Sequence, residues 1–119
     1  MWYLATPYSK YADGIEAAFL MACRQAALLL RAGVYAFSPI AHSHVIAKHG
    51  DIDPLSHEIW IPFDLPFMEA AQGLIVVMDL GWNESIGVAE EIRIFESMGK
   101  PIVYMRPGEA PVTLMIGSK

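Results

Sequence analysis

The chain carries one cysteine, Cys23, so no internal disulfide can form and no set of thiolates can close around zinc. Its place inside a helix pattern marks it as a small core residue. Charge is scarce, at 18% of residues, and the basic sign is the scarcer one: 8 Lys and Arg against 13 Asp and Glu, a formal net charge of -5. With no Lys/Arg cluster to offset that balance, a general nucleic-acid binder is excluded. No apolar run reaches the ~18 uninterrupted residues of a membrane span, because Arg24 and Gln25 break the apolar helix Glu16–Leu30. No basic leader with a cleavage site precedes the first strand-like run. Glycine-rich phosphate loops are missing too: the sequence holds neither G-x-G-x-x-G nor a P-loop. The expectation is a soluble cytoplasmic protein with no membrane partner and no nucleic acid polymer as ligand.

What is abundant is apolar: 55% of 119 residues, which suffices for one domain, 1–119, with its own core. So high a fraction in a small acidic domain leads us to expect a homodimer or higher homo-oligomer. The aromatic stretch Glu58–Phe63 is its exposed patch.

The stretch Gly73–Pro101 organises the chain. Gly73–Met78 is a Val/Ile-rich run without alternation, as in a parallel strand covered on both faces. Asp79–Asn83 reads as a turn. Val88, Ile92 and Phe95 then fall at helical spacing, and Gly99 with Pro101 ends the helix. Glu90 lies nearly opposite that stripe, but Glu91 borders it. Helical side chains lean toward the N-terminus, so Glu91 lies over Gly87 and the open slot that glycine leaves. A carboxylate beside a core, over a gap, near a strand's C-terminal end, is a site candidate; the plainer alternative is a surface Glu and a Gly required for close helix–sheet packing.

Elsewhere, Trp2–Ala5 and Val34–Ser38 read as strands, with Thr6–Gly14 a loop between the first strand and helix Glu16–Leu30. Ser9 or Asp13 is expected to cap that helix, and Thr6, Ser9 and Lys10 are candidates to contact a phosphate at its N-terminus. Pro39–Gly50 reads as a short helix and Gly50–His57 as a polar loop that can act as a lid. Four histidines, His42, His44, His49 and His57, fall within sixteen positions. Their spacing matches no closed ligand set, so no metal and no cofactor is expected. His42 and His44, just after a strand's C-terminal end, are expected instead to line a pocket or contact a substrate, with surface histidines the plainer alternative. Pro62 and Pro66 cannot both sit in one helix interior, so the next helix is expected to start near Asp64. Asp64 is then an N-cap or a second active-site carboxylate, with Leu65, Met68 and Ala71 facing inward. Pro101–Met105 is a further strand and Val112–Ile116 a fifth strand or extended tail. The order points to an α/β three-layer domain: a flavodoxin-like parallel sheet of four to five strands flanked by helices. Ligands of such sheets bind outside the carboxyl ends of the strands, where Tyr3, Asp64, Asp79, Ser85 and Glu91 collect.

The segments YLATPYS at Tyr3–Ser9, DLPFMEAAQGLIVVMD at Asp64–Asp79, SIGVAEE at Ser85–Glu91 and GKP at Gly99–Pro101 resemble the nucleoside 2-deoxyribosyltransferase superfamily. That group includes deoxyribosyltransferases and deoxynucleoside 5'-monophosphate N-glycosidases. The likeness spans most of the chain in order but leaves Pro39–Phe63 uncovered. It implies a Glu nucleophile at Glu91, with Ser85 and Gly87 at the family's spacing, a second carboxylate at Asp64, and a first-strand tyrosine at Tyr3. The loop Thr6–Lys10 has hydroxyls and a cation but fewer glycines than the phosphate-binding loops of the glycosidases. The resemblance further implies a nucleoside or nucleotide substrate and a site completed by a neighbouring subunit. Chemically, a carboxylate can stabilise or trap the oxocarbenium-like centre at C1', while Asp64 or a pocket histidine such as His42 delivers a proton to the departing base. A non-catalytic nucleotide- or nucleotide-sugar-binding domain on the same fold is the alternative.

Overall fold

A computed structural model describes residues 1–115 of the chain. Strands β1 (Trp2–Ala5), β2 (Ala36–Phe37), β3 (Gly73–Val77) and β4 (Ile102–Met105) form one parallel sheet in the order β2-β1-β3-β4. Around it stand helices α1 (Ile15–Arg31), α2 (Pro39–Gly50), α3 (His57–Ala70) and α4 (Ile86–Ser97). This is the expected three-layer α/β fold, with four strands. No helix among the described residues is long and apolar enough to cross a membrane.

Side-chain alternation along the two central strands builds both layers. Tyr3, Ala5, Leu74 and Val76 point to one face and pack with Met68, Val88 and Phe95 of α3 and α4. Leu4, Ile75 and Val77 point to the other and pack with Leu29 of α1 and with Val34 in the connection that follows it. Every residue of β3 is buried, as its unbroken apolar run requires.

The ends of the elements explain several departures from expectation. β2 is shorter than Val34–Ser38 because both flanks serve helices. Val34 N–H donates to Leu29 O at 2.8 Å and closes α1, while Ser38 Oγ accepts from Ala41 N–H at 3.1 Å and caps α2. Neither Ser9 nor Asp13 caps α1; Gly14 holds that position at φ 93, a conformation costly for any residue with a Cβ. Val112–Leu114 forms a 3₁₀ turn in place of a strand, with Leu114 N–H donating to Pro111 O at 3.0 Å and Leu114 packed on the core. Ile116 of that expected strand lies outside the described residues.

The largest correction concerns α3, which starts at His57 and runs through both Pro62 and Pro66. The two prolines are four residues apart and share the exposed face. The carbonyls that lose a partner to them belong to Glu58 and Pro62, both exposed residues, so water can replace the missing donors. Asp64 is therefore a mid-helix residue, buried in line with Trp60 and Met68, and the N-cap reading falls. Leu65 turns outward, 36% exposed, while Met68 and Ala71 are buried as expected.

α4 closes on Gly99 at φ 67, with Lys100 N–H donating to Phe95 O at 3.1 Å and Gly99 N–H to Glu96 O at 3.0 Å. Lys100 Nζ then reaches the end of α3 and donates to the carbonyls of Met68, Glu69 and Ala71 at 3.2, 2.6 and 2.7 Å. A cation on orphan carbonyls at a helix C-terminus is favourable, and here it couples α4 to α3.

The chain leaves β1 toward β2 through α1 and leaves β3 toward β4 through α4. These connections diverge between β1 and β3, and a crevice opens at that switch point.

Candidate active site

The crevice has two walls. One is built by α3 and α4 and carries Asp64, Ser85, Gly87 and Glu91. The other is built by the loop after β1 and by α2 and carries Thr6, Tyr8, Ser9 and Ser43. The loop after α2 closes one end through Pro54 and Leu55. It is fastened to α3, since Trp60 Nε1–H donates to Asp53 O at 2.9 Å.

On the first wall, Ser85 caps α4 by accepting from Val88 N–H at 3.2 Å. That fixes the helix phase so that Gly87 and Glu91, one turn apart, both face the crevice. A Cβ on Gly87 would meet only Ser85 Oγ, at 3.9 Å. Close packing does not demand this glycine; its missing side chain leaves the slot over which Glu91 lies. Glu90 turns away and pairs with Arg93. Asp64 comes to the same place from α3, and Tyr3 from β1 lies fully buried beneath the two carboxyls.

The electrostatics follow from that crowding. Burial pushes the Glu91 carboxyl up to about 8, with the Asp64 charge adding to the shift and Tyr3 opposing it. Burial likewise pushes Asp64 up to about 6, against the pull of Tyr3. The Tyr3 phenol is held far above its ordinary range by burial and then by the charges of Glu91 and Asp64. Glu91 is half-buried at the crevice wall and Asp64 buried beside it; two such neighbouring carboxyls do not both ionise readily, and near neutral pH they hold one proton between them. Tyr3 Oη, Asp64 Oδ1 and Thr6 Oγ1 are buried without a protein hydrogen-bond partner. Each such atom costs about 1–3 kcal/mol. Thr6 and Asp64 line the crevice, where a bound ligand can supply the missing partner, while Tyr3 lies beneath it.

Other residues singled out from the sequence lie elsewhere. Lys10 is exposed and does not line the crevice. Asp79 serves its own turn, accepting from Leu80 N–H at 2.7 Å. His42 is wedged among Phe37, Phe63 and Phe67, with ring centroids at 5.8, 5.5 and 6.2 Å. His44 is buried behind Tyr8 and does not reach the crevice itself. Tyr8, Trp60 and His57 are crevice residues that sequence reasoning passed over; the one usable signal was that Tyr8 stands in the YLATPYS segment with Tyr3 and Thr6. Among the described residues, no group of three or more His, Cys, Asp or Glu converges to hold a metal ion.

The chain belongs to the family described as a domain of unknown function (DUF1937), whose model matches residues 1–107. No curated protein matches the sequence. The matched span includes all four strands and both crevice walls, so the site belongs to the family's common domain.

Proposed function

We propose that this family member cleaves or transfers the N-glycosidic bond of a 2'-deoxynucleoside or deoxynucleoside 5'-monophosphate, with Glu91 as the nucleophile at C1'. The likeness to the nucleoside 2-deoxyribosyltransferase superfamily belongs to this reading. The observation that carries it is the pairing of Glu91 with Asp64 over the Gly87 slot, at the sheet's switch point. In the free protein Glu91 holds the shared proton; in the reacting complex it passes to Asp64, which hydrogen-bonds the sugar, and ionised Glu91 meets the positive charge that grows at C1'. Tyr3 works from beneath as a positioning residue. Its phenol favours the charged carboxylate without touching the substrate.

Breaking C1'–N and forming Glu91 O–C1' gives a glycosyl ester. Water then resolves it in a hydrolase, or a second base in a transferase. The activity is expected in the cytoplasm and in a homo-oligomer whose subunits share a site. Ile59 and Phe63, 47% and 42% exposed on α3, give that assembly an apolar surface. Sedimentation at micromolar concentration checks the assembly, and a monomer counts against it.

The test of the reaction is release of free base from deoxynucleosides and their monophosphates by wild type and by Glu91→Gln. Release by wild type and none by the variant supports the reading. If wild type releases none, and Glu91→Gln binds nucleotide as tightly as wild type, the site is a binding site and the reaction is wrong.

A further inference from the structure

On the second wall, Tyr8 Oη lies 2.6 Å from His44 Nδ1, and His44 Nε2 lies 2.8 Å from Glu16 Oε2. The imidazole is 5% exposed and stacked on Phe19 at a centroid distance of 4.3 Å, so its orientation is fixed. Glu16 stands at the outer end, 58% exposed, with Lys48 Nζ at 3.9 Å from the same carboxylate oxygen. The charged and titratable groups facing the ring are thus Glu16 from α1, Lys48 from α2 and Tyr8 from the β1 loop. The chain of contacts joins solvent to a crevice residue.

We propose that Glu16, His44 and Tyr8 form a proton relay that supplies the departing base and takes the proton back in the second half of the reaction. The assignment rests on the glycosidic reading above. Displacement at C1' puts nucleophile and leaving group on opposite faces of the sugar. Asp64 clusters with Glu91 on the nucleophile's wall, so the base departs toward the wall that holds Tyr8. The acceptor role of Glu16 requires Nε2–H, and the state of Nδ1 then sets the direction of the phenol. When His44 is protonated, Nδ1–H donates to Tyr8 Oη and leaves the Tyr8 O–H free for the crevice. When it is neutral, Tyr8 O–H donates to Nδ1 and the phenol presents a lone pair.

The steps balance. As C1'–N breaks and Glu91 O–C1' forms, the Tyr8 proton passes to the base nitrogen and the His44 Nδ1 proton passes to Tyr8 Oη. As water or an incoming base attacks C1' and the ester bond breaks, its proton passes to Tyr8 Oη and the Tyr8 proton returns to Nδ1. Burial and the Glu16 charge push the Tyr8 phenol up to about 12, so it carries protons without resting as phenolate.

The experiment compares wild type with Tyr8→Phe on 2'-deoxyguanosine and on 7-methyl-2'-deoxyguanosine, whose base departs neutral without a proton. We expect the variant to lose on the order of 10²-fold in the single-turnover rate of base release on the first and to keep the wild-type single-turnover rate on the second, since that rate precedes the resolution of the ester. A wild type active on both substrates, with Tyr8→Phe slowing the single-turnover base release of both alike or of neither, overturns the relay alone. A wild type that releases base from neither overturns the glycosidic reading and the relay with it.

Discussion

The two polar clusters stand on opposite walls of the crevice and differ in how their hydrogen bonds are met. In the cluster of Glu16, His44 and Tyr8, both ring nitrogens of the histidine have partners and the carboxylate reaches water. In the cluster of Tyr3, Asp64 and Glu91, two carboxyls crowd each other, and Tyr3 Oη and Asp64 Oδ1 lack partners. A satisfied network stabilises the fold and fixes geometry. An unsatisfied acidic one opposes folding, and its persistence at a sheet switch point marks it as built for a ligand's charge. On the proposed reading, the difference separates a cluster that works on the substrate from one that serves it.

That contrast breaks most sharply at Glu91. Glu91→Gln should lower base release on the order of 10³-fold or more, as loss of a nucleophile does. The same change should raise the thermal midpoint, because a crowded buried carboxyl is replaced by a neutral amide. Truncating the satisfied cluster has the opposite sign. His44→Ala leaves Tyr8 unpaired and a gap beside Phe19, and should cost about 2–4 kcal/mol in denaturant unfolding.

The clusters also respond oppositely to pH. Glu91 holds its proton up to about 8 when folded against an ordinary 4.5. The folded chain therefore binds more protons in that window, and stability falls as pH rises from 4.5 to about 8. Asp64 adds a loss of the same sign between 3.8 and about 6. Together they should lower stability by about 2–3 kcal/mol between pH 5 and pH 8. That figure takes roughly 1.4 kcal/mol for each pH step over which only the folded chain keeps the proton, discounted for partial solvent access. Glu91→Gln should remove most of that slope. Glu16, whose carboxyl is held below its ordinary value first by its hydrogen bond to His44, contributes stability that is lost as pH falls instead. A base-release profile that is bell-shaped, with limbs near 6 and 8, would report the shared proton directly.

The smallest change is at Gly87. An alanine there improves helix propensity and meets nothing closer than 3.9 Å. It should stabilise by about 0.5–1 kcal/mol while narrowing the slot and raising KM. A destabilised Gly87→Ala would mean that packing requires the glycine after all.

Much of this was legible in the chain. β1 was placed to the residue, and β3, β4 and α4 within one or two, because apolar runs and glycine or serine boundaries agree there. Glu91 was legible for the same reason: α4 has a clean stripe, so its phase could be read and its borderline carboxylate noticed. α3 was misread because the proline rule assumes that the carbonyls left without partners are buried, and here they belong to exposed residues, Glu58 and Pro62. The surroundings of His42 and His44 were not legible because α2 is weakly patterned. Residues two apart point to different sides of a helix, and nothing in PIAHSHVIAKHG says whether His42 or His44 faces α1. The relay was invisible: its members are 36 and 28 residues apart and form no motif.

The central claim is that Glu91 takes the sugar onto itself. Rapid acid quench of wild type during turnover of a deoxynucleoside, followed by peptide mass analysis, should show one deoxyribosyl group esterified to Glu91. Free base released with no adduct at Glu91, and released equally fast by Glu91→Gln, would contradict it.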